Sequence, residues 1–131
     1  MSNSVCDLFP NQALAFYFKG IANEHLNNYA EAISAYKQAM LMSRSYLALL
    51  LELHYRLADT YTKNSEFDNA LDIVNKGLNI AQGKNTDLLE LKGDIYFKKG
   101  MKTDALNAWK EAQSKGSKDA DLQRKISTQS L

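Results

Sequence analysis

Residues 15–40 read AFYFKGIANEHLNNYAEAISAYKQAM, and two later stretches fall into register with them: LELHYRLADTYTKNSEFDNALDIVNKGL at 51–78 and DLLELKGDIYFKKGMKTDALNAWKEA at 87–112. The small residues Gly20, Ala58 and Gly93 are each followed twelve positions later by an alanine: Ala32, Ala70 and Ala105. Seven positions further on stand Ala39, Gly77 and Ala112, and an aliphatic residue follows each first alanine (Ile33, Leu71, Leu106). Nine after the leading small residue come Tyr29, Phe67 and, breaking the pattern, Lys102; sixteen after it come Tyr36, Val74 and Trp109. A small residue in mid-helix lets the next helix approach closely, and the alanine twelve on fills the facing site. Phe16, Tyr36, Leu57, Tyr61, Tyr96 and Trp109 are expected to pack around that contact. Each helix pair leaves an apolar face that only a neighbouring pair can cover, so stability comes from stacking.

This pattern resembles the tetratricopeptide repeat, whose units run to about 34 residues. The resemblance covers 13–119 and implies an all-α, right-handed superhelical solenoid of antiparallel helix pairs with about seven helices. The expected organisation is a tail or remnant of a preceding repeat at 1–12, repeats at 13–46, 51–84 and 86–119, and a capping helix at 118–131. The usual proline after the second helix is missing, with Arg44, Gln82 and Ser117 in its place. The leading small residues lie 38 and then 35 apart, so the first connection, near 43–46, carries about four extra residues. Helices are expected at 11–25, 28–43, 45–63, 65–81, 85–98 and 102–115, with turns at Asn64-Ser65 and Gly100 and C-termini at Gly83 and Gly116. Ser117 is a candidate cap for a last helix carrying the stripe Leu122 and Ile126.

Phe9-Pro10-Asn11-Gln12 sits where the tail of an earlier repeat would end. Either 1–12 is a short cap or the chain is the C-terminal part of a longer, bacterial-type array. The lack of a visible N-terminal cap favours the second. Leu14, Phe16 and Phe18 would then face outward on an uncovered first helix, a setting for fraying or a weak homodimer.

Composition is that of an ordinary globular chain: 131 residues, 45% apolar, 24% charged and a formal net charge of +1. That balance gives no push toward nucleic acid, and no stretch is apolar for long enough to insert in a membrane. The single cysteine, Cys6, excludes an internal disulfide and leaves the compartment open: cytoplasmic by default, periplasmic if an upstream signal has been removed. No catalytic site, metal site or cofactor is expected. The run GLNIAQGKN at 77–85 has the wrong glycine spacing for a phosphate loop and puts Asn85 where Ser or Thr belongs. His25 and His54 are 29 residues apart, with His54 expected in the core and His25 exposed at a helix end. Met40, Leu41 and Met42 are expected as core and stacking residues, and Lys98-Lys99 and Arg124-Lys125 as solvated ends.

The resemblance implies that a partner lies on the concave face lined by the first helix of each pair. One residue past a packed position turns about 100° around the helix. That step selects Leu14, Tyr17, Ile21 and Glu24 in the first unit and Glu52, Tyr55, Asp59 and Thr62 in the second. In the third it selects Asp87, Glu90, Asp94 and Phe97, with Lys63 and Lys98 at the edge. Two readings stay open: a solvated face, or a groove for a protein or peptide ligand with basic and aromatic side chains. Some family members clamp a terminal carboxylate with Lys, Asn and Arg here; Tyr17, Ile21, Tyr55 and Asp59 stand in their place. The expected function is a non-catalytic protein-interaction scaffold. The alternative is a three-repeat chaperone for a secreted protein, which the length and neighbourhood of the gene would distinguish.

Overall fold

The structure is a computed structural model that describes residues 11–131. The readings placed on Cys6, Phe9 and Pro10 lie outside the described residues. Within them are seven helices: α1 (Asn11–His25), α2 (Tyr29–Leu41), α3 (Leu47–Lys63), α4 (Phe67–Ile80), α5 (Thr86–Lys98), α6 (Lys102–Ser114) and α7 (Ala120–Thr128). Each packs on the next in chain order, and α3 also touches α5. The fold is an all-α solenoid of helix pairs. No helix among the described residues is long and apolar enough to cross a membrane.

The small residues sit at the helix crossings. A Cβ added at Gly20 would fall inside the Tyr36 ring, and one at Gly93 inside the Trp109 ring and 3.0 Å from the Ala105 carbonyl oxygen. Tyr36 and Trp109 are both fully buried, with Ala32 and Ala105 beside them. In the middle unit the seat is Ala58 rather than glycine, and the register sets the smaller Val74 opposite; both are fully buried. Seat and filler vary together, as close packing requires. The third small position is tight as well, since a Cβ at Gly77 would meet Leu88 Cδ1 at 2.9 Å and His54 Cβ at 3.1 Å. His54 is buried, as expected, with Nδ1 2.8 Å from the Leu50 carbonyl oxygen.

The turns inside the pairs keep the same register. Asn27, Ser65 and Gly100 all have left-handed backbone, with φ of 61°, 61° and 85°. Behind each, an amide reaches back five residues to a carbonyl: Asn28 to Asn23 at 2.8 Å, Glu66 to Tyr61 at 2.8 Å and Met101 to Tyr96 at 2.9 Å. This closure satisfies carbonyls that the helix end leaves without partners. It ends α1, α3 and α5 at His25, Lys63 and Lys98, the expected bounds; those that differ, such as the end of α2 at Leu41 and the start of α4 at Phe67, lie one or two residues inside expectation. The last helix is capped by Asp119, whose carboxylate accepts the Asp121 amide at 3.2 Å, and not by Ser117.

Two expectations about apolar residues are corrected. Leu41 is 60% exposed and Met42 37%, because α2 closes at Leu41 and the chain turns away; only Met40 packs on the core. On α1, Leu14 and Phe16 are half-buried while Phe18 is exposed.

Two substitutions test this account with opposite signs. Gly93→Ala should destabilise by about 1–3 kcal/mol in urea unfolding, because the indole has nowhere to retreat. Ser65→Gly should stabilise by about 1 kcal/mol, since an L-residue in left-handed backbone is strained and glycine is not. Asn27→Gly should gain less, because asparagine tolerates that conformation.

Candidate functional site

The residues selected from the sequence lie on α1, α3 and α5, and the seams between successive first helices, α7 included, differ. Between α1 and α3 the seam is tied by the chain's own groups. Tyr17 donates its hydroxyl to Glu52 Oε2 at 2.9 Å, and Arg56 Nε donates to the same oxygen at 2.9 Å. The Arg56 guanidinium also lies 5.8 Å from the centre of the Tyr17 ring. Glu24 accepts from the Tyr36 hydroxyl at 2.7 Å, from Thr60 Oγ1 at 3.2 Å and from the Lys63 ammonium, which also pairs with Asp59 at 3.3 Å. Ile21 packs half-buried against the core. Burial works to raise the Glu24 carboxyl, yet Lys63, Tyr36 and Thr60 together outweigh it and hold the group below its ordinary value.

The seam between α5 and α7 is tied as well. Lys125 of α7, expected in a solvated end, is only 6% exposed. Its ammonium donates to Glu90 at 2.7 Å and to both Asp94 oxygens at 3.0 and 3.1 Å. Asp94 also accepts the Trp109 indole N–H at 3.0 Å. Burial lifts the Glu90 and Asp94 carboxyls above their ordinary values even with the lysine in contact. Burial works against the Lys125 charge, but its bonds to Glu90 and Asp94 prevail and raise its pKa. The directions agree, because one cation is shared between two acids. Glu90 and Asp94 therefore do not line an open groove. Lys99, also read as solvated, pairs with Asp68 of α4.

Between α3 and α5 no side-chain hydrogen bond or ion pair crosses, among the described residues. Here a cleft of about 530 Å³ opens, lined by Ala48, Leu51, Glu52, Tyr55, Arg56, Asn85 and Asp87. The Tyr55 hydroxyl is pushed up to about 12, by burial first and then by the charges of Asp59, Asp87, Asp94 and Glu90. The phenol thus stays protonated at neutral pH in a negative field. Asp87 is exposed at the α5 N-terminus, where the Asn85 side chain caps the Leu88 amide at 3.0 Å.

Two further positions depart from expectation. Thr62 is buried, its hydroxyl donating to the Ala58 carbonyl at 2.8 Å, so it does not face a groove. Phe97 stacks on Trp109 with ring centres 6.0 Å apart and lies 6.0 Å from the Lys102 ammonium, which turns it toward α6. The structure brings Glu52, Tyr55 and Asp87 to one cleft, with Asp59 acting on Tyr55 from beside it. Sequence reasoning missed Ala48, Leu51, Arg56 and Asn85. Leu51 and Ala48 lie one and two turns before Tyr55, so the same helical spacing, carried toward the α3 N-terminus, would have found them.

The Glu24 tie predicts a pH-dependent stability. A carboxyl held below its ordinary value contributes stability that is present above the unfolded value and lost as pH falls through the folded one. Glu24→Gln should cost about 1.5–3 kcal/mol at pH 7, typical for hydrogen bonds to a charged group. The difference from wild type should shrink in unfolding curves taken below about pH 4.

Residues 13–46 and 51–83 match the sequence profile of the tetratricopeptide repeat. No curated protein sequence matches the chain. Among solved structures, the first such domain of Spaghetti (RPAP3), bound to the HSP90 peptide SRMEEVD, is similar with a TM-score of 0.77 and 17% identity, covering 92% of each chain. The first domain of human RPAP3 gives 0.79 at 18% identity, covering 92% of this chain and 91% of the other. The Sgt2 domain from Aspergillus fumigatus gives 0.75 at 15%, covering 89% and 76%. Two matched units and the shared arrangement of helix pairs lead to one assignment: the chain belongs to the tetratricopeptide repeat family.

Proposed function

We propose that this protein is a non-catalytic interaction scaffold that binds an extended peptide or partner segment at the α3–α5 seam. The proposed ligand carries Lys or Arg beside a bulky apolar or aromatic anchor. The observation that carries this reading is the contrast between seams. Those beside α1 and α7 are tied by internal ion pairs, whereas the middle one has an open cleft and, among the described residues, no such tie. Ala48, Leu51 and the Tyr55 ring offer contact area, and a ligand cation over that ring would also gain from the Asp59 and Asp87 charges. Its volume falls within the range of about 300–1,000 Å³ usual for ligand pockets. A third repeat over 86–119 completes the proposed array and supplies the α5 side of the cleft.

The Spaghetti domain binds an acidic peptide. Here Arg56, Lys63 and Lys125 on the corresponding first helices are each held by carboxylates, so the same ligand sign is disfavoured. A chaperone for a secreted protein would use the same cleft, and the test below reads the ligand in either case.

Immobilised protein should retain basic-aromatic octapeptides from a synthetic pool, less so as salt rises from about 50 to 500 mM, because surface charges are screened over roughly 8 Å at physiological ionic strength. Tyr55→Ala and Asp87→Lys should each weaken that retention about tenfold or more, and SRMEEVD should not be retained. Equal retention of basic peptides by wild type and Asp87→Lys would overturn the proposal.

A further inference from the structure

Helix α7 occupies its place as a ligand would. We propose that the α5–α6 surface beneath it is a docking site for an amphipathic helix of a partner protein. That helix would carry an aliphatic residue, a lysine or arginine three positions on, and an aliphatic residue directly after. The chain's own α7 displays this pattern as Leu122, Lys125 and Ile126. Leu122 is fully buried, Ile126 packs half-buried on the core, and Lys125 sets its ammonium between Glu90 and Asp94. The chemistry of a suitable occupant is therefore already in view.

Three features make α7 replaceable. It has 9 residues, and helices shorter than about 12 are marginal alone, so its structure depends on being docked. It touches the protein along one stripe, with Gln123, Arg124, Ser127 and Thr128 exposed. Its charge is also poorly matched to the site. One ammonium faces two acids, and α7 brings more: Asp121 lies 3.5 Å from Lys125, and the Asp119 charge adds to the burial that lifts Glu90. A buried ion group with uncompensated acids is a weak source of stability. A helix with the same stripe, a second cation and no acids in its first turn fits better. Tethering keeps α7 in place against weak competitors, since a short linker gives a local concentration of about millimolar order. The site uses residues other than the α3–α5 cleft and stands whether or not that cleft binds peptides.

The test uses the full chain and labelled peptides read by fluorescence anisotropy. One peptide has the native sequence of residues 117–131, a second carries Asp119→Asn and Asp121→Lys, and a third carries Lys125→Glu. A chain with Leu122→Asp and Lys125→Glu, which unseats α7, should bind the second peptide at least tenfold tighter than wild type does. It should bind the native peptide more weakly and the third not at all, and adding Tyr55→Ala should change none of this. Should the unseated chain lose helicity, hydrogen exchange on wild type decides. Amides 122–128 should exchange faster than those of α5, and faster still with the second peptide present. Protection of α7 equal to that of α5, or equal binding of the second and third peptides, overturns the proposal. A stable dimer formed by exchanged α7 helices would assign the site to a second copy and overturn the partner reading.

Discussion

Everything at the two ends of the stack depends on a missing atom. Because Gly20 and Gly93 have no Cβ, an aromatic ring from the second helix can lie directly against the backbone of the first. The ring then reaches across and presents its polar tip on the far side. Tyr36 gives its hydroxyl to Glu24, and Trp109 gives its indole N–H to Asp94. Each acid, fixed from behind, takes a lysine from the next first helix: Lys63 of α3 in one case, Lys125 of α7 in the other. The same relay of glycine, aromatic ring, acid and lysine therefore operates twice. It converts close backbone packing into a tie between neighbouring first helices.

The middle unit has no such relay, and the reason is local. Its seat is Ala58, which leaves room only for Val74, and valine has no polar tip to present. Asp59, one residue past the seat like Asp94, consequently pairs with Lys63 on its own helix instead of drawing a cation across from α5. The α3–α5 seam stays untied among the described residues and keeps its cleft. One methyl group on the seat thus separates a structural crossing from a candidate binding surface.

This explains which parts were legible in the sequence. Steric requirements repeat, so the seats, the alanines twelve residues on and the turn positions could be read as a period. The turn through left-handed Ser65 was placed correctly from Asn64-Ser65, whereas the ends of α2, α4 and α6 were read one or two residues too long. Charge partners were not legible. Counting around a helix told which way Glu90 and Asp94 turn relative to α6, but not that α7 returns over them with Lys125. A lysine in the stripe of a short polar helix looks solvated until the acids opposite are known. Tyr55 and Glu52 could be placed from helix direction alone, and both line the α3–α5 cleft. Thr62 was misplaced because, near the end of α3, its hydroxyl folds back on the Ala58 carbonyl.

The relays also bear on where the stack can yield. Separating α1 from α3 breaks the Glu24 bonds to Thr60 and Lys63, and separating α5 from α7 breaks the Lys125 bonds to Glu90 and Asp94. The α3–α5 seam has no polar tie among the described residues, and both helices contribute to the apolar core, with Leu57 on α3 and Ile95 on α5. Apolar contact is non-directional and tolerates small sliding better than a bond network with fixed geometry. A ligand entering the cleft therefore meets the seam with the fewest polar ties to break, between two ends that the relays hold. Position and compliance coincide there for one reason: the absence of an aromatic side chain at residue 74.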